Sequence, residues 1–259
     1  MRAGALLVGL LLTAVLTGCL RAPAAGTNAD LLGGPAAELV AEIISYFPGA
    51  TGYLARPADG SNLPGVVMIH EWWGLNDHVR AMARSLAAEG YQVLAVDLYH
   101  GGVATTAEEA RARMQALNQE EALQNLAAAA DLLRDRGAAR VASLGWCFGG
   151  GQSLRFGLSG LDLEAVVVYY GNVVTDEAQL RVLPPVLGIF ADQDRGIPVR
   201  EVRAFEQGLQ RAGVPNEVHV YRGVGHGFAN PSAATYAPVP TVDAWAKTTD
   251  FLARHLRPV

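Results

Sequence analysis

Val141-Ala142-Ser143-Leu144-Gly145-Trp146-Cys147-Phe148-Gly149-Gly150-Gly151 joins an apolar run to a helical pattern through Gly-x-Cys-x-Gly. The helix is predicted from Gln152 to Gly157. This is the shape of a nucleophile elbow, a sharp strand-to-helix turn, with Cys where most such turns carry Ser. Gly145 and Gly149 leave out the side chains that would block close backbone packing there. Cys147 is then lifted out of the sheet. The backbone N–H of Phe148 faces the same space and can help hold an oxyanion. A lone Cys on an apolar strand is more often a small buried hydrophobe. The flanking glycines favour a nucleophile, provided that the chain also supplies a base and an orienting acid.

Outward from the elbow, strand and helix alternate. Gly65 to Ile69 and Val93 to Val96 are continuous apolar runs, as expected of strands covered on both faces. Ala165 to Tyr170, Val186 to Phe190 and Glu217 to Tyr221 are further strands. Helical spacing covers Asp77 to Glu89, Thr106 to Met114, Glu120 to Arg136, Val199 to Ala212 and Val242 to Leu256. Gly90, Gly137 and Gly213 stand where three of these end. Glu42 to Tyr46 and Gly52 to Arg56 read as a hairpin around Pro48-Gly49. The pattern predicts an α/β fold: a mainly parallel central sheet with helices on both faces. Ligands of such sheets sit at the carboxyl ends of the strands.

Those ends carry the remaining candidates. His226 lies among glycines in Gly223-Val224-Gly225-His226-Gly227-Phe228, after the strand ending at Tyr221. Asp194 follows the strand ending at Phe190, and Asp192 is a rival acid in the same loop. The order nucleophile, acid, His, each at a strand end, is that of the α/β-hydrolases. Glu71 follows the first parallel strand, in His70-Glu71-Trp72-Trp73-Gly74-Leu75-Asn76. A carboxylate beside two tryptophans is costly unless it has a partner. The same loop is where a second oxyanion N–H arises, and Trp72 is the candidate. His70 reads as a strand-end residue, and His78 as a helix-surface residue beside Asp77 in a cap. No HxxxH or CxxC spacing occurs, so neither a metal nor another cofactor is expected.

With 259 residues, 51% of them hydrophobic and 17% charged, the chain is long and apolar enough for one large globular domain. Net charge is −5 without a basic run, which argues against nucleic acid as a partner. Only Cys19 and Cys147 could form a disulfide, and the N-terminus argues against it. Arg2, the apolar run Leu6 to Val15, and Leu16-Thr17-Gly18-Cys19 resemble a bacterial lipoprotein signal peptide. That resemblance implies cleavage of residues 1–18, lipid on Cys19 and a flexible tether over 19–34. The domain over 35–259 would then sit in the cell envelope, on the extracytoplasmic side of a membrane.

Taken together, these residues resemble the dienelactone hydrolase (carboxymethylenebutenolidase) family. The resemblance rests on the segment from His70 to Asn76, Asp97-Leu98-Tyr99, Gly145 to Gly150, Asp194 to Pro198, and Gly225-His226-Gly227-Phe228. It implies an α/β-hydrolase fold without a large lid and a triad of Cys147, His226 and Asp194. Glu71 matches the family's carboxylate that contacts and helps ionise the thiol. Trp72 and Phe148 match its two backbone oxyanion donors. The implied substrate is a small ester or lactone, attacked by Cys147 through an acyl-thioester. Members that act on dienelactone grip its carboxylate with two arginines; this chain has Gly101 and Asn230 at those places. Neither can form a bidentate clamp. The alternative reading is a lipid-anchored binding protein that keeps the pocket without turnover.

Overall fold

The computed structural model describes residues 38–257. The signal peptide, the lipidation of Cys19 and the tether over 19–34 lie outside the described residues. Eight strands form a single sheet. They are β1 (Leu39–Phe47), β2 (Ala50–Pro57), β3 (Gly65–Ile69), β4 (Gln92–Val96), β5 (Val141–Trp146), β6 (Ala165–Tyr169), β7 (Val186–Ala191) and β8 (Asn216–Tyr221). Their order across the sheet is β1-β2-β4-β3-β5-β6-β7-β8. β1 and β2 form the hairpin, and β2 joins β4 antiparallel; every later pairing is parallel.

The helices are α1 (Asp77–Ala88), α2 (Ala107–Ala116), α3 (Gln119–Asp135), α4 (Phe148–Leu158), α5 (Glu177–Leu180), α6 (Val199–Ala212) and α7 (Pro238–Leu256). Residues β3 to β7 are buried throughout, and their alternating side chains feed two cores. Val66, Met68 and Leu144 pack with Met82 and Leu86 of α1 and Trp245 and Phe251 of α7. Val67, Ile69 and Val141 face Leu126 and Leu133 of α3, Phe156 of α4 and Phe205 of α6. This is the expected α/β-hydrolase architecture, and α5, four residues long, is the one helix the pattern did not foretell.

Three local features differ from what the sequence pattern predicts. α4 begins at Phe148 rather than Gln152, so the glycine triplet lies inside the helix. Glycine is a poor helix former, and tertiary packing overrides that preference here. The cap of α1 is Asn76, whose side chain accepts the Val79 N–H at 3.1 Å, so Asp77 is already helical. His78 is half-buried rather than a surface residue, and burial lowers its pKa to about 4.

Candidate active site

Glu71, Cys147, Asp194 and His226 each follow the carboxyl end of a strand: β3, β5, β7 and β8. The elbow is as tight as its glycines imply. A Cβ on Gly145 would stand 2.1 Å from the Gly149 carbonyl oxygen. One on Gly149 would stand 2.4 Å from the carbonyl oxygens of both Ile69 and His70. Cys147 sits at the crest with φ 55° and ψ −117°. A non-glycine residue held there costs about 1–3 kcal/mol of backbone strain. The surrounding contacts, including Cys147 N–H to the Tyr169 carbonyl at 2.9 Å, hold it in place.

His226 Nε2 lies 3.1 Å from Cys147 Sγ, and its Nδ1 lies 2.7 Å from Asp194 Oδ2. The Thr235 hydroxyl donates to the His226 carbonyl at 2.5 Å, and the Tyr170 ring packs 5.2 Å from the imidazole. Asp194 is buried, and its Oδ1 accepts the N–H groups of Gly196 at 2.8 Å and Ile197 at 3.1 Å. The rival Asp192 is exposed and accepts the Gly223 N–H at 2.8 Å, away from the imidazole.

The charges of this line support one another. Burial raises the Asp194 pKa, but the hydrogen bond and charge of His226, with the two backbone donors, bring it below the ordinary value. Burial pulls His226 down, and its hydrogen bonds to Asp194 and Cys147 outweigh that, raising it to about 10. Both partners of the imidazole, the Asp194 carboxylate and the sulfur, thus favour its protonated form. α4 starts at the next residue, so the positive end of its dipole also faces any negative charge formed on Sγ.

No hydrogen bond joins Glu71 to the thiol among the described residues. The Glu71 carboxylate, 6% exposed, instead accepts a hydrogen bond from Asn230 Nδ2. Burial raises its pKa to about 7, against the pull of Asn230, the His226 charge and Tyr170. The Tyr170 hydroxyl is buried near this carboxylate without a hydrogen bond of standard geometry to it. Tyr170 also has φ 35°, a second left-handed residue beside the elbow. Asn230 thus has a place in the site that the sequence disclosed only as a missing arginine. Gly101 takes no part: its N–H closes a turn onto Asp97 Oδ2.

The N–H groups of Trp72, in the loop after β3, and of Phe148, the first residue of α4, have no acceptor among the described residues. The sequence marks His70 only as a strand-end residue. It is fully buried, with ring centroids 4.8 Å from Tyr99 and 5.8 Å from Phe148. A His at the strand end next to Glu71 was the only sequence signal for it. Cavities of about 220 Å³ beside Tyr99 and about 620 Å³ along α3 and α4 are not lined by Cys147, His226 or Asp194.

The dienelactone hydrolase family model matches residues 50–256. Protein Usf of Aquifex pyrophilus is 31% identical over 218 residues, 79% of this chain and 93% of its own. A Methylorubrum extorquens protein bearing the name carboxymethylenebutenolidase is 27% identical over 221 residues, 78% of this chain and 76% of its own. The crystal structure of a Klebsiella pneumoniae protein described as a dienelactone hydrolase superposes with a TM-score of 0.77 at 26% identity, covering 84% of this chain and 99% of that one. Fold, site placement and these likenesses agree, and the chain belongs to the dienelactone hydrolase family of carboxylic-ester hydrolases.

Proposed function

We propose that this hydrolase cleaves small esters or lactones with Cys147 as nucleophile, His226 as proton carrier and Asp194 as the acid that orients it. The observation that carries this is the line Asp194 Oδ2, His226, Cys147 Sγ, with steps of 2.7 and 3.1 Å. An isolated thiol is only a few per cent ionised at neutral pH, roughly, and needs such a partner. The thiolate attacks the acyl carbon, and the carbonyl electron pair moves onto oxygen. The N–H groups of Trp72 and Phe148 receive that oxyanion, each worth about 3 kcal/mol. Collapse expels the alcohol, which takes its proton from His226. The neutral imidazole then draws a proton from water as that water attacks the thioester. The acid leaves, the sulfur is released, and His226 holds the proton that starts the next cycle.

Glu71 assists the thiol when an incoming substrate releases it from Asn230. A carboxyl group titrating at about 7 can give or take a proton at working pH. With Gly101 and Asn230 uncharged, neutral acyl groups are preferred over the carboxylate of dienelactone. Residues 1–18 act as a lipoprotein signal, and lipid on Cys19 anchors the domain outside the cytoplasm. Radiolabelled palmitate incorporated by the expressed chain and lost in Cys19→Ser would support the anchor; equal labelling would refute it.

The test of the chemistry is turnover of short aryl esters and dienelactone by the full chain in detergent micelles, beside Cys147→Ala. Turnover abolished in the variant, and favouring the aryl esters, supports the proposal. Full activity in Cys147→Ala sinks it. One acyl group trapped on Cys147 without release would instead favour a binding protein with a relic pocket.

A further inference from the structure

We propose that His70 is a positioning residue that aims the Trp72 N–H at the oxyanion. The inference rests on the reading of Trp72 as an oxyanion donor given above. His70 Nδ1 lies 2.6 Å from the Glu71 carbonyl oxygen, and the Leu98 N–H points at His70 Nε2 from 3.2 Å. A carbonyl can only accept and an amide N–H can only donate. Nδ1 therefore carries the proton and Nε2 the lone pair, and no second proton fits. Full burial, which lowers the basicity of this ring, acts in the same sense.

The Glu71 carbonyl and the Trp72 N–H belong to one peptide unit. That unit is planar and trans, so the two bonds point in opposite directions. Whatever fixes the direction of the C=O fixes the direction of the N–H. The other donor to this carbonyl is the Gly74 N–H, at the longer distance of 3.2 Å. The short His70 bond also polarises the peptide, which strengthens the N–H as a donor. A face of the same ring stacks on Phe148, with centroids 5.8 Å apart and an interplanar angle of 23°. Phe148 supplies the other proposed donor. One buried imidazole thus touches both arms of the oxyanion site and is tied to the loop after β4 through Leu98.

The test separates the two nitrogens of the ring. His70→Asn places an amide nitrogen near the position of Nδ1 and keeps the bond to the Glu71 carbonyl. His70→Gln places an amide oxygen near Nε2, keeps the acceptor for Leu98 and loses that bond. Both are neutral and both loosen the packing. The full chain in micelles, with folding checked by circular dichroism, is assayed on an aryl ester. The expected result is kcat roughly tenfold lower in His70→Gln than in His70→Asn, with KM alike, since the oxyanion forms only in the transition state. A trifluoromethyl ketone adds the thiolate of Cys147 to its carbonyl and leaves the same oxyanion, so its affinity should fall in parallel. Equal losses in both variants, or losses confined to KM, overturn the proposal. On the unmutated chain, nitrogen-15 spectra should show a neutral Nδ1–H tautomer from pH 5 to 9, roughly; the Nε2–H form would overturn it even if neither variant folds. Full activity of Cys147→Ala would instead remove the reading beneath it.

Discussion

Asn230 and Glu71 meet across the active site, 159 residues apart in sequence, the amide of one donating to the buried carboxylate of the other. The pair places a neutral partner beside an acid that burial already weakens. A neutral donor steadies the charge less than a guanidinium would, so this carboxyl group stays near the middle of its titration at neutral pH.

Asn230→Ala should remove the amide that donates to the Glu71 carboxylate. The Glu71 pKa then rises above about 7, because the lost bond is the strongest influence pulling it down. Leaving a buried acceptor unpaired costs about 1–3 kcal/mol. Urea unfolding at pH 8 should show that loss, and it should shrink at pH 5, where the carboxyl is protonated.

The pH dependence of stability has a definite sign. Glu71 titrates at about 7 when folded and near its ordinary value of 4.5 when unfolded. Between those values the folded chain holds a proton that the unfolded chain has lost. Stability from this group therefore falls as pH rises through that window and levels off above it, by about 3 kcal/mol in all. Glu71→Gln should abolish this slope, so its stability relative to the parent should climb from pH 4.5 to 7.5 in denaturant titrations, roughly over that range.

Asp194→Asn should lower kcat on aryl esters by about 10³ to 10⁴, as expected when an imidazole loses its orienting carboxylate. Asp192→Asn should stay within about twofold of the parent, because the exposed Asp192 touches Gly223 rather than the imidazole. Steady-state rates of the two variants measured together decide between these acids. A larger loss in Asp192→Asn would refute the assignment.

Gly149→Ala should cost about 3 kcal/mol or more, because its Cβ would meet the carbonyl oxygens of Ile69 and His70 at 2.4 Å. Both oxygens belong to backbone, which cannot swing aside as a side chain can. A melting temperature within error of the parent would contradict this packing.

Much of the scaffold was legible beforehand because its signals are local. Buried parallel strands read as unbroken apolar runs, and glycines mark several helix ends. The glycine triplet misled, since helix propensity says nothing of the close approach that Gly149 and Gly150 make to neighbouring backbone. His78 misled because a single helical residue does not announce what packs over it.

By itself, the sequence determined the kind of fold, the elbow at Cys147 and a short set of strand-end residues, because periodicity and turn chemistry are written in neighbouring positions. The tertiary structure alone decided that Asp194 rather than Asp192 reaches His226. It likewise turned Glu71 toward Asn230 instead of the thiol, and set His70 between the Glu71 carbonyl and Phe148. Those choices depend on which loops converge at one edge of the sheet and how their burial shifts each charge, and no local pattern carries that information.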